Sequence, residues 1–287
     1  MVIYAAVAAS APVAAMFQKP QAPVCQLAGS IMRIPDLPEA SGLTASLNTP
    51  GRLWAHNDSG KPEIFAVDTK GRVTGKVLVS GAQVVDWEAI ASAHCGSGAC
   101  LYVADIGDNA ARRKHITVYR LAEPARTGGT AQVDAVLRAA YPDGPHDAEA
   151  LLAAPDGTLY IVTKGETGPV ALYRFPRDAG SGKTVQLERI GAPLSRRLSS
   201  PTGRITDGAI SADGDQVVLR TPNALRFYRS ADFLKADFRE TRSMDLKLLK
   251  EPQGEGVAFG PSNIVYVAGE GGGKSQPGTL AALSCPR

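Results

Sequence analysis

Short apolar runs recur along this chain, each introduced by a small or acidic residue and closed by a turn. They are Ser41-Gly-Leu-Thr-Ala-Ser46, Glu88-Ala-Ile-Ala-Ser-Ala93, Glu149-Ala-Leu-Leu-Ala-Ala154, Asp207-Gly-Ala-Ile-Ser-Ala212 and Glu255-Gly-Val-Ala-Phe-Gly260. Their spacings of 47, 61, 58 and 48 residues match solenoid or propeller repeats, the two longer ones with loop insertions. After each run come turn residues, such as Pro155-Asp-Gly157 and Asp213-Gly-Asp215, in which Gly accepts positive φ and Pro presets a corner. A second run follows: Leu53–His56, Leu101–Ala104, Leu159–Val162, Val217–Leu219 and Ile264–Ala268. Its β-branched and aromatic residues predict a buried strand.

A third strand is predicted in every unit, for example Ile64–Val67, Ile116–Tyr119 and Leu225–Tyr228. A fourth is readable in four units, as in Lys76–Val79 and Val185–Arg189. The last unit has three strands, and Gln26–Ile34 is a spare strand ahead of the first unit. The pattern therefore predicts an all-β fold, a five-bladed β-propeller of four-stranded antiparallel blades, with the last blade completed by the N-terminal strand.

The cysteines support that closure. Cys25 would begin the fourth strand of the last blade and Cys285 would end its third, so antiparallel pairing brings them together. Cys95 and Cys100 flank a Gly-Ser-Gly-Ala loop that a second bridge closes. No CxxC spacing suggests zinc. Two bridges fit an oxidising compartment, so a secreted or periplasmic protein is expected. The uncharged apolar stretch Val2–Ala15 resembles the apolar part of a secretory signal, and residues 19–24 read as linker. The expected organisation is a signal-like segment over 1–24 and one propeller domain over 25–287.

Composition changes this picture little. Among 287 residues, 30 are Gly and 20 are Pro, so turns are frequent and long helices are not expected. The net charge of +3 is spread along the chain without a basic block, which argues against nucleic acid. No apolar stretch is long enough to span a bilayer, and a monomer is expected. Gly180-Ser-Gly-Lys-Thr184 lacks the earlier Gly of a phosphate loop, since that place is Arg177. Neither a G-x-S-x-G elbow nor an H-E-x-x-H pair occurs.

In a ring of blades the starts of the first strands converge with the loops after the second strands. The first set supplies Ser41, Glu88, Glu149, Asp207 and Glu255; the second supplies His56, Asn57, Asp105, Lys164, Arg220 and Glu270. Asp86 and Asp147 fall on the same side as Glu88 and Glu149 by the period of two. Carboxylates crowded at one mouth repel unless a cation, protonation or a basic side chain offsets them. Oxygen ligands suit Ca²⁺, with Glu88, Glu149, Asp207, Glu255 and Asp105 as the candidate ligands. The alternative is that these carboxylates cap backbone N–H groups or pair with Lys164 and Arg220. Glu88, Glu149 and His56 are the candidate catalytic groups; Lys164, Arg220 and Asn57 are candidate substrate contacts.

The runs Trp54-Ala-His-Asn-Asp-Ser-Gly60, Asp86-Trp-Glu-Ala-Ile90, Tyr102-Val-Ala-Asp-Ile-Gly-Asp-Asn109, Ile116–Pro124 and Asp147–Leu151 resemble a family of secreted bacterial propellers. Most members are uncharacterised, and the family is loosely related to the phytase-like esterase domain. The resemblance implies a propeller and secretion, and a Ca²⁺ that would hold a phosphate opposite Lys164 or Arg220. Two functions fit these residues. One is a metal-dependent hydrolase of a small anionic ester, phosphoester or lactone. The other is a non-catalytic propeller that binds a ligand or a cell-envelope partner and holds a structural ion.

Overall fold

The computed structural model describes residues 1, 25–197, 200–273 and 275–286. The signal-like segment and linker of residues 2–24 lie outside the described residues. Within them the regular secondary structure is almost all strand, with one helix, Ser230–Phe233, and two short 3-10 turns. No described helix is long and apolar enough to cross a membrane.

The described strands fall into antiparallel groups that each run inner, second, third and outer. The inner strands are Ala40–Ala45, Trp87–Cys95, Ala148–Ala153, Asp207–Ile210 and Gln253–Phe259. They pair with Arg52–Asn57, Gly98–Asp105, Leu159–Thr163, Gln216–Thr221 and Ile264–Glu270. The third strands are Glu63–Asp68, Ile116–Ala122, Pro169–Arg174, Ala224–Arg229 and Gly278–Ser284. Outer strands Val73–Ser80, Thr130–Ala140, Glu188–Arg197 and Glu240–Asp245 complete the first four groups. Gln26–Leu27 and Met32–Ile34 complete the last, both paired with Gly278–Ser284. The Cys25–Cys285 and Cys95–Cys100 disulfides are both formed.

Two details differ from the sequence expectation. Gln26–Ile34 is two short strands, because Gly29 at φ 98° breaks the extended run. The expected fourth strand Val185–Arg189 is divided: Thr184–Gln186 pairs parallel with Arg138–Ala140 of the preceding unit, and Glu188–Arg197 forms the true outer strand. A second parallel pairing, Thr130–Gln132 with Leu78–Ser80, ties the outer strands of the first two units.

The inner strands of successive units pack on one another in a closed cycle. Apolar clusters fill the wedges between neighbouring units. One joins Trp54 with Trp87 and Val103, and another joins Leu152 with Phe233. Both tryptophans are fully buried, as core residues.

The glycines after Ser41 and Glu255 have a steric reason. A Cβ on Gly42 would come within 2.5 Å of His56 Nε2 and 2.7 Å of the Ile90 backbone nitrogen; one on Gly256 would meet Ser41 O at 2.6 Å. Neighbouring inner strands approach too closely for a side chain there. Gly42→Ala is therefore expected to cost about 2 kcal/mol through overpacking against backbone that cannot yield. Thermal unfolding should show it as a lowered Tm, with Gly128→Ala, whose added carbon meets nothing, as the unchanged control.

Candidate functional site

The strand pairing determines which first-strand carboxylates face the channel. In the second, third and last units the inner-strand register shifts between Trp87 and Ala89, between Ala148 and Ala150, and between Gly254 and Val257. Glu88, Glu149 and Glu255 sit in those irregularities. A bulged residue leaves the ladder and re-aims its side chain. Asp207 has no such shift and pairs regularly with Arg220. Its carboxylate accepts the N–H of Gly208 and of Val257, both at 2.7 Å, and so ties two inner strands together.

Glu88, Glu149, Glu255 and Lys164 come together at the mouth. Lys164 Nζ lies 2.5 Å from Glu149 Oε1 and 3.5 Å from Asp147 Oδ2. It also reaches Asn109 Oδ1 at 3.5 Å. Glu88 and Glu149 are close enough to shift one another's proton affinity. Burial, reinforced by the charges of Glu149 and Asp86, pushes the Glu88 carboxyl well above its ordinary range. Burial also raises Glu149 to about 7, with Lys164 restraining the rise. Glu255 reaches about 7 through burial and the charge of Glu149. Glu270 reaches about 7 through burial and then Glu255, Asp58 and Glu39. Burial alone would lower Lys164, but Glu149 and Asp147 hold it above its usual value.

The remaining expected site residues are placed elsewhere. Asp105 is a frame residue: its Oδ2 accepts the Val85 N–H at 2.9 Å and its Oδ1 pairs with Arg113 at 2.7 Å. Arg113 also donates to Gly107 O at 2.8 Å, and its own N–H donates to Asp108 at 2.7 Å. Asp147 accepts the Asp108 N–H at 2.7 Å. The Asp105–Asn109 run is thus a clasp that supports the mouth. Arg220, a candidate substrate contact, is fully buried, with its guanidinium donating to Gly256 O, Ala268 O and Glu251. His56 is also fully buried, under Gly42 and edge-on to Trp87 at 5.7 Å. Burial lowers it to about 4, so it is a neutral wall residue rather than an exposed base. Asn57 ends its strand nearby, with Oδ1 buried and without a hydrogen-bond partner.

The donor set does not fit the expected Ca²⁺. The ammonium of Lys164 sits on the Glu149 and Asp147 oxygens that an ion would need. Asp105 and Asp207 are engaged by Arg113 and by backbone N–H groups. Among the described residues, no three His, Cys, Asp or Glu side chains form a metal-ligating group.

Sequence reasoning missed Arg113, Glu251 and Gly107. No local signal marks the two charged residues, whose partners are set by tertiary approach. Gly107 had a signal, as a glycine beside Asp105 and Asp108. A Cβ there would collide with Asp86 Oδ2 and, at 2.5 Å, with Glu88 Oε1, so only glycine lets the loop cover the two carboxylates.

The raised carboxyls predict a pH dependence. Folded Glu149 and Glu255 keep their protons to about 7, against an ordinary 4.5. The stability this provides is full below about 4.5 and is lost as pH rises to about 7. His56 acts oppositely: its neutral form is favoured above 6.5, and that contribution is lost as pH falls towards 4. The carboxyls outnumber the histidine, so Tm is expected to be several degrees lower at about pH 8 than at about pH 5.5. Glu149→Gln should flatten the slope; a Tm that rises over this interval would refute the assignment.

No protein family's sequence pattern matches this chain, and no curated protein matches it. Solved structures do resemble it. A PQQ-bound aldose sugar dehydrogenase from Streptomyces coelicolor aligns with a TM-score of 0.53 at 12% identity, over 92% of this chain and 100% of that one. A gluconolactonase from Xanthomonas campestris aligns with a TM-score of 0.47 at 12% identity, over 93% of this chain and 98% of that one. Likeness at this identity shows fold alone, and the fold is of the β-propeller type.

Proposed function

We propose that this chain is a five-bladed propeller whose channel mouth binds a small uncharged molecule and transfers protons on it through Glu88 and Glu149. The observation that carries this reading is the Lys164–Glu149 ion pair at 2.5 Å, beside a second buried carboxyl, Glu88, whose proton affinity the Glu149 charge raises. A buried carboxyl pair with separated proton affinities provides an acid and a base at the same pH. Glu149, in direct contact with the Lys164 ammonium, is the base; Glu88, its buried neighbour with a raised proton affinity, is the acid.

The surrounding charge selects the substrate class. Asp86, Asp147 and Glu149 share the one ammonium of Lys164, and the excess of negative charge repels phosphoesters and other anions. Of the expected classes a lactone remains, and a neutral ester takes the place of the anionic one. In its hydrolysis water gives a proton to Glu149 as its oxygen attacks the carbonyl carbon. Glu88 then gives a proton to the leaving alkoxide oxygen as the carbon–oxygen bond breaks. The two disulfides favour an oxidising compartment, and a periplasmic or secreted location belongs to the proposal.

The test is a panel of neutral esters and lactones beside phosphoesters, with Ca²⁺ or a chelator added. Turnover of a neutral substrate is expected, insensitive to chelation. Glu149→Gln should reduce it by about 100-fold, the scale of a lost general base, with folding retained. No turnover of any neutral ester or lactone, or turnover that requires Ca²⁺, would refute the catalytic reading. Saturable binding without turnover would instead establish a non-catalytic ligand-binding propeller.

A further inference from the structure

The hairpins that join inner to second strands lie at the opposite end of the ring from the carboxylates. Three of them, around residues 46–51, 211–215 and 260–263, enclose a cavity of about 490 Å³. That volume is in the range of pockets for small molecules. Its body is apolar, formed by Leu47, Leu53, Phe259, Val265 and Tyr266. Its walls come from three separate units and from Cys285, which the disulfide to Cys25 holds in place. The cavity is therefore built into the ring, and its shape does not depend on one loop.

The charges at its rim indicate what it accepts. Arg242 donates to Gln216 Oε1 at 3.0 Å and to Pro286 O, and lies 4.1 Å over the Phe227 ring. Asp213 accepts from Ser211 Oγ at 2.6 Å and from the Asp215 N–H at 3.2 Å. Arg52, the third charged side chain of the lining, donates to Pro124 O at 3.3 Å and lies 5.4 Å over the Trp54 ring. All three are committed to frame groups, so a charged ligand would lose its water against the apolar body and meet only side chains already engaged elsewhere. We infer that this cavity is a second binding site, for a small uncharged molecule with an apolar body and a hydrogen-bonding group. The site is independent of the chemistry at the channel mouth.

Equilibrium dialysis of the full chain with naphthol and with naphthoate at neutral pH tests this. The two probes share a ring system and differ in charge. Naphthol is expected to bind saturably, and naphthoate about tenfold more weakly or worse. Ala212→Trp and Pro50→Trp place an indole at the mouth from exposed positions; each should weaken naphthol at least tenfold without lowering Tm. If one variant fails to fold, the other decides. Glu149→Gln should leave naphthol binding unchanged. The inference is overturned if naphthol does not saturate, if naphthoate binds equally, if a folded tryptophan variant binds as well as the parent, or if Glu149→Gln abolishes binding.

Discussion

Arg220→Met is expected to cost about 3–5 kcal/mol, the scale for breaking a buried ion pair and leaving one charge behind. Arg220 has no solvent exposure, and the Glu251 side chain it meets at 2.5 Å is 3% exposed. Its guanidinium also donates to Gly256 O at 2.6 Å and Ala268 O at 2.8 Å. One side chain from the fourth unit thus satisfies an inner and a second strand of the last unit. Methionine fills the volume and removes every donor, leaving Glu251 with Thr279 Oγ1 at 3.2 Å. A domain of this size loses roughly 2–4 °C of Tm per kcal/mol, so a fall of about 10 °C is expected. Replacing the pair together, Arg220→Met with Glu251→Met, should recover more than half of the loss, because no unpaired charge remains. A single variant within about 1 kcal/mol of the parent, the scale of an ordinary substitution, would show that the pair does not hold the two units together.

The same residue shows where sequence reading reaches and where it stops. The repeats, the strand order and both disulfides were legible because apolar runs, turn residues and cysteine positions report local periodicity and chain ends. The convergence of Glu88, Glu149 and Glu255 was legible because each occupies the same place in its repeat. The partners of the charges were not. A period of two says which face a residue takes but gives no sign of the register shifts at Glu88, Glu149 and Glu255, and one shifted residue changes where a side chain points. Asp207 occupies the matching repeat position without a shift, and it caps backbone instead. Lys164, expected to face an anionic substrate, lies on Glu149 because the third unit's second strand ends beside that unit's own inner strand.

Glu123→Ala is the second large effect expected. Glu123 follows the third strand of the second unit, and its carboxylate reaches across to the first unit. Oε1 accepts from Trp54 Nε1 at 3.0 Å and from Ser46 Oγ; Oε2 accepts the N–H groups of Leu47 at 3.0 Å and Asn48 at 3.3 Å. Trp54 is fully buried, so its indole N–H has no route to water once the carboxylate is gone. The Leu47 and Asn48 amides are nearer the surface and can be hydrated. Losing a charged acceptor from one buried and several part-buried donors is expected to cost about 3 kcal/mol. Glu123→Gln should cost less, since it keeps one acceptor oxygen while turning an NH₂ group towards donors. Hydrogen exchange at the two indoles separates this mechanism from general loosening. Trp87 donates to Gln83 O at 2.8 Å and should keep its protection, while Trp54 exchanges faster in Glu123→Ala. Equal loss of protection at both indoles would mean that the wedge between the first two units opens as a whole, and that the carboxylate is not its clasp.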